Sequence, residues 1–120
     1  MGLRIPRGFA SPDRGGRVDA LNYELLQESA ATLARLGRGV ERALEALAAF
    51  DAGHAHGGPA AERDPLVAAA GEALWFYVVQ REVMGLRDVE SVLRHLGVPR
   101  EVRMRMGINP YRSGPSPVGG

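Results

Sequence analysis

A seam of apolar residues runs through residues 19–50 and limits the folds open to this chain. Its members are separated alternately by three and four residues, which places them on one face of a helix. A helix of about 32 residues is about 48 Å long, whereas a compact domain of this size is about 35 Å across. The pattern predicts one helix, continuous through Gly37 and Gly39, that a single copy cannot easily cover. The seam comprises Tyr23, Leu26, Ala30, Leu33, Gly37, Val40, Leu44 and Leu47, and Leu21, Leu25 and Leu36 widen it.

The run from Leu74 to Val79 is apolar around the whole circumference of a helix. A helix of this kind has to be covered on more than one side. If the chain folds back around residue 57 or 58, Trp75 lies level with Val40, and the aromatic rings lie opposite Gly37 and Gly39. Large rings against glycine give the complementarity that close packing requires. The predicted core or interaction residues are therefore Trp75, Phe76, Tyr77, Gly37 and Val40.

Helix-capping residues mark the other predicted helices, and residues 18–106 show no strong strand pattern. Aspartate or proline begins each helix and glycine ends three of them. The first helix runs from Asp19 to about Phe50, the second from Asp64 to Met84, the third from Asp88 to Leu96, and the fourth from Pro99 to Met106. The fold class is thus predicted to be all-α, a long antiparallel helical hairpin followed by two short helices.

Composition divides the chain into a helical domain, residues 18–106, and two flanking segments that are rich in glycine, proline and arginine. Residues 1–17 are predicted to be flexible or extended, and residues 107–120 to form a tail. Residues 1–17 and 100–120 each carry a net charge of +3, whereas residues 18–99 carry −5. The basic ends are predicted either to lie on an acidic body, their own or a partner's, or to contact nucleic acid.

The residue types exclude several kinds of chemistry. The chain has no cysteine, and all 15 basic residues are arginine, so disulfides, thiolate metal sites, Walker-type loops and lysine Schiff bases are absent. His54 and His56 flank one alanine and could hold a transition metal together with Asp51, but we interpret this segment as a polar loop. We expect no metal, no cofactor and no enzymatic activity.

The N-terminal residues lack the apolar core of an export signal. The longest fully apolar stretch is the six residues from Leu74 to Val79, far below the roughly 20 that cross a bilayer. We expect a cytoplasmic protein with no membrane contact.

Four polar residues are predicted to lie near one another in the hairpin. Glu24 and Glu28 are one helical turn apart, and Arg81 and Gln80 lie near their level on the second helix, with an offset of about two turns. The cluster is either a partly buried ion pair or a site for a small anionic ligand, in which case the protein is a ligand-binding bundle.

Residues 88–106 resemble a bacterial helix-turn-helix, whose second helix enters the major groove. Arg100, Arg103 and Arg105 would supply the nucleic-acid contacts. Arg103, however, stands where that motif requires an apolar residue, and Leu93 where it prefers alanine. The other interpretation of this segment is a helical corner that covers the aromatic run.

The stretch Gln80 to Asp88, with the aromatic run before it and residues 98–102 after it, resembles a family of short uncharacterised proteobacterial proteins, a domain of unknown function. The likeness extends over most of residues 18–107. It implies an intracellular all-helical protein of a Gram-negative bacterium and brings no catalytic residue with it.

These observations favour a protein–protein interaction module that forms a homodimer and has a protein partner of unknown identity. The alternative is a nucleic-acid-associated regulator that uses residues 88–106. The third hypothesis is the ligand-binding helical bundle.

Overall fold

The computed structural model describes residues 12–107, and within this range it is helical, without strands. The helices are α1 (Pro12–Ala52), α2 (Ala60–Val83), α3 (Val89–Leu96) and α4 (Arg100–Arg105). The all-α prediction is confirmed. The chain divides into two compact units, Met1–Thr32 and Leu33–Gly120. Within the part described, the first unit is the first half of α1, and the second unit holds the rest of α1 together with α2, α3 and α4.

Helix α1 begins at Pro12, seven residues before the predicted start at Asp19. The prediction was wrong because the glycine-, proline- and arginine-rich composition of residues 1–17 indicated an extended segment. Each glycine costs a helix about 1 kcal/mol, but a nucleated helix gains a hydrogen bond for every residue that it adds. The segment 1–17 is thus helical from residue 12, and residues 1–11 lie outside the described residues. Helix α1 is continuous through Gly37 and Gly39, as predicted.

Helix α2 begins at Ala60 rather than at Asp64, so Pro65 lies inside the helix. Pro59 precedes the first turn, and its carbonyl oxygen accepts hydrogen bonds of 3.0 Å from the amides of Glu62 and Arg63. These bonds nucleate the helix one turn earlier than predicted, and Pro65 removes only one later amide donor. The helix ends at Val83, one residue before the predicted end, and Gly85 follows with a φ of +78° that glycine adopts without strain.

The short helices α3 and α4 have boundaries close to those predicted. The Asp88 carboxylate accepts a hydrogen bond of 3.3 Å from the Ser91 amide and so caps α3. Gly97, at φ +67°, ends α3. Pro99 precedes α4, which ends at Arg105, one residue before the predicted end.

The core lies within the second unit and draws on all four helices. Helix α4 contacts α2 at Gly71, where a Cβ atom would stand only 2.9 Å from Arg105 Cβ. The absence of a side chain at Gly71 therefore lets the two helices approach closely. The buried apolar residues are Val40, Leu47, Val67, Ala70, Leu74, Val78, Leu93 and Val102.

The second half of α1 and α2 form the predicted antiparallel hairpin. The Tyr77 ring lies 3.2 Å from the position that a Cβ atom of Gly37 would occupy, and Arg63 pairs with Asp51 nearer the turn. In each pair, the two residues are equally far along the chain from residue 57, where the turn was predicted. The prediction that rings also cover Gly39 was wrong, since nothing lies within 4 Å of its Cβ position.

Candidate functional site

The aromatic run of α2 is covered incompletely. Leu74 and Val78 are buried, Trp75 and Tyr77 are half-buried, and Phe76 is exposed. The Trp75 ring lies against Gly107, which follows α4, at 3.4 Å from its Cβ position. The helical corner after α3 thus covers one side of the run, as one of the two interpretations of residues 88–106 predicts.

The first half of α1 carries the largest group of exposed apolar side chains in the part of the chain that the structure describes. Val18, Leu21, Leu25 and Leu26 are 49 to 65% exposed, and we call them the α1 stripe. They lie within about 140° of one another around the helix, which turns about 100° per residue. The described residues of this unit form a single helix, so none of them supplies a second element that covers the stripe.

Burial along the predicted seam changes between its two halves. Val40 and Leu47 are buried and Leu44 is partly buried, whereas Leu26 and Tyr23 are exposed. The Tyr23 hydroxyl accepts a hydrogen bond of 3.2 Å from Gln27. A spacing pattern identifies the face of a helix but does not say which part of that face is covered.

Arg63 connects three helices through its guanidinium group. Its Nε and Nη2 atoms donate to the two carboxylate oxygens of Asp51, at the end of α1, at 2.8 and 3.0 Å. Its Nη1 and Nη2 atoms donate to the two oxygens of Glu101, in α4, at 2.7 and 2.6 Å. Two bidentate pairs on one arginine are the strongest geometry available to this group.

These hydrogen bonds perturb the titration of all three groups. Hydrogen bonds from Arg63 lower the pKa of Asp51 and that of Glu101 below their ordinary values of 3.8 and 4.5. Hydrogen bonds to Glu101 and then to Asp51 raise the pKa of Arg63 above its ordinary value. The cluster therefore stays charged across the neutral range.

We expect the Arg63→Met variant to be less stable than the wild type at pH 7, with a difference that shrinks in acid. A carboxylate whose pKa is lowered in the folded state contributes stability above its ordinary pKa, and this contribution is lost as the pH falls through the folded value. Urea unfolding of both proteins between pH 7 and about pH 3 measures the difference. Arg100→Met, an exposed arginine nearby, is the control. A difference that does not vary with pH would contradict the prediction.

An open groove of about 700 Å³ lies beside Arg63, between α2 and α4. It is lined by Asp64, Glu101 and Arg105, among others, and Arg105 Nη1 lies 2.8 Å from Asp64 Oδ1. The lining holds three arginines, among them Arg100, and two carboxylates. Asp51, which also pairs with Arg63, brings the carboxylates to three, so the groove region presents no marked excess of positive charge that would attract an anion.

The three arginines predicted to contact nucleic acid have different environments. Arg103 forms an ion pair with Glu90 of α3, and Arg105 pairs with Asp64 of α2. Arg100 is exposed on α4. Two of the three basic side chains are therefore held by carboxylates of the same chain, and the nucleic-acid interpretation stays a prediction.

The predicted polar cluster is divided between the two units. Glu24 and Glu28 are exposed in the first unit, and Gln80 and Arg81 are half-buried in the second. The Nη2 atom of Arg81 donates to the main-chain oxygen of Arg87 at 3.0 Å, while its Nε atom is buried without a hydrogen-bond partner. The cluster stays a prediction.

In the loop between α1 and α2, the His54 ring stacks on Phe50 with centroids 4.1 Å apart. Its Nδ1 atom lies 2.7 Å from the Phe50 main-chain oxygen, to which it donates when protonated. Within residues 12–107, no three histidine, aspartate or glutamate side chains lie together as metal ligands would.

The Arg63 cluster was missed by sequence reasoning, which considered Asp51 only as a metal ligand. Arg63 and Glu101 are 38 residues apart, and neither belongs to a recognisable motif. The only signal in the sequence is that oppositely charged residues occur near the ends of several helices. Many solvent-exposed residues show the same pattern, so this signal does not single out the Arg63 cluster.

The fold and the exposed surface define a small all-α domain whose N-terminal helix presents an apolar face. In the described part, no helix combines the length and the apolar character that a membrane span needs. The model of a family of unknown function, DUF6665, matches residues 8–113, and the chain belongs to this family. Membership of an uncharacterised family is thereby confirmed, whereas the proteobacterial origin stays a prediction. No curated protein and no solved structure matches the chain.

Proposed function

We propose that this protein is a self-associating interaction module, in which two copies pair through the α1 stripe. It acts by protein contact rather than by catalysis. The observation that carries the proposal is the exposure of Val18, Leu21, Leu25 and Leu26 on one helical face. Full burial of one such side chain contributes about 1.5–3 kcal/mol, so covering the stripe is a substantial driving force for association.

Helix stability supports the same proposal. In proteins, most of the stability of a helix comes from packing of its apolar face rather than from intrinsic propensity. The residues of α1 before Thr32 include Gly15 and Gly16, which weaken a helix. A partner on the stripe would supply the packing that this segment requires.

A second copy is the occupant that the stripe fits. A two-fold symmetric interface uses the same patch on both subunits, so the patch has to be complementary to itself. Valine and leucine side chains meet this condition because apolar contacts are not directional. Arg17 at one end of the stripe and Glu24 and Glu28 towards the other are exposed, and they attract each other when two copies run antiparallel.

Size-exclusion chromatography with light scattering tests the proposal. At micromolar concentration we expect about twice the monomer mass of 12.9 kDa. A mass of 12.9 kDa at every concentration up to about 100 µM would overturn the proposal, because a contact that weak releases less than about 6 kcal/mol.

The nucleic-acid alternative has less support, since Arg103 and Arg105 form ion pairs with carboxylates of the same chain. It predicts binding whose affinity falls steeply as salt rises. A filter-binding assay over a salt series with duplex DNA and single-stranded RNA separates it from self-association.

A further inference from the structure

One polar residue lies in the middle of the α1 stripe. Asn22 is four residues after Val18, one after Leu21, three before Leu25 and four before Leu26. On a helix surface, positions three and four residues apart are adjacent, so the carboxamide of Asn22 lies next to Val18, Leu25 and Leu26, and Leu21 completes the stripe on one side. All five residues are exposed in the single chain.

We propose that Asn22 lies on the two-fold axis of an antiparallel dimer and forms hydrogen bonds with the Asn22 of the second copy. This inference rests on the proposed self-association. A contact that covers the stripe also removes water from Asn22, and a buried amide without a partner is costly. The apolar neighbours offer no hydrogen-bonding group. Asp19, three residues before Asn22, carries a carboxylate that only accepts, so it leaves the Oδ1 atom of Asn22 without a donor. A second Asn22 offers both a donor and an acceptor, so two reciprocal hydrogen bonds satisfy both amides.

The position of Asn22 also sets the alignment of the two helices. With the axis at Asn22, Val18 of one copy lies level with Leu26 of the other, so the apolar residues cover one another. Arg17 lies level with Gln27 of the second copy, between Glu24 and Glu28. Arg17, Glu24 and Glu28 lie along the same side of the stripe. In an antiparallel pair, this side of one helix lies next to the same side of the other helix. A parallel pair would instead turn that side away from its counterpart.

The asparagine pair would make the dimer specific. A single polar residue in an apolar helix interface defines register and number of subunits at a cost in stability. We therefore expect Asn22→Leu to associate more tightly than the wild type but to form a mixture of species larger than the dimer. Light scattering measures both properties.

Cysteine crosslinking tests the position of the axis directly, since the chain has no cysteine of its own. Three variants of the full chain are oxidised under identical conditions: Asn22→Cys, Val18→Cys and Ala20→Cys. A disulfide needs Cα atoms within about 7 Å, which residues at the axis satisfy. We expect Asn22→Cys to crosslink about tenfold faster than either control. Ala20 faces away from the stripe, and in the antiparallel dimer the two Val18 residues are separated along the helix axis by the length of eight residues.

Each result has one meaning. Fast crosslinking of both Asn22→Cys and Val18→Cys would show a parallel dimer and overturn the inference. A dimer that forms without fast crosslinking at residue 22, or that stays a single species in Asn22→Leu, would overturn it as well. In these cases self-association stands. A monomer in all variants and in the wild type would instead overturn the proposed function.

Discussion

Replacing Leu25 with glutamate is expected to convert the proposed dimer into a folded monomer. Leu25 is 64% exposed in the single chain, so the substitution removes little packing from the monomer. In the dimer it removes two leucines from the contact and places two like charges there, which together cost about 3 kcal/mol or more. This corresponds to a rise in the dissociation constant of at least about 100-fold. Sedimentation equilibrium or light scattering over a concentration series measures it.

Ala20→Glu is the matched control for this variant. It introduces the same charge into the same helix, but Ala20 lies on the opposite face from the α1 stripe and is exposed. We expect its dissociation constant to stay within about threefold of the wild type, as for surface substitutions in general. A dimer that survives Leu25→Glu, or an equal loss in both variants, would place the contact elsewhere on the protein.

Two glycine-to-alanine substitutions are expected to change stability in opposite directions. A Cβ atom at Gly71 would stand 2.9 Å from Arg105 Cβ and 3.0 Å from the main chain of that residue. Helix α4 would have to move away from α2, at a cost of about 1–3 kcal/mol. The gain in helix propensity of about 1 kcal/mol offsets part of this cost, so Gly71→Ala should lose up to about 2 kcal/mol.

Gly39→Ala is the same chemical change in open space. Nothing lies within 4 Å of the Cβ position of Gly39, and its place inside α1 lets alanine contribute its full helix propensity. We expect a gain of about 0.5–1 kcal/mol in the free energy of unfolding. Urea unfolding at one protein concentration compares both variants with the wild type. Equal effects of the two substitutions would show that α4 does not pack tightly on Gly71.

Local sequence patterns predicted which helices form. They predicted the first residues of those helices less accurately. The glycines Gly85 and Gly97 and the cap Asp88 lie where the spacing of residues places them, because each acts on its own turn of the chain. Pro65 and the pair Gly15–Gly16 were misleading as boundaries. Their local penalties of about 1–3 kcal/mol are smaller than the cooperative gain of extending a helix that already exists.

The amino-acid sequence by itself determined the helical class, the hairpin turn near residue 57 and the apolar seam. Each of these follows from interactions between residues a few positions apart. Only the tertiary structure decided which half of the seam is buried, that Arg63 joins Asp51 and Glu101, and that α4 packs on Gly71. Those contacts join residues 12 to 38 positions apart, and their energies depend on three-dimensional distances that no local pattern encodes.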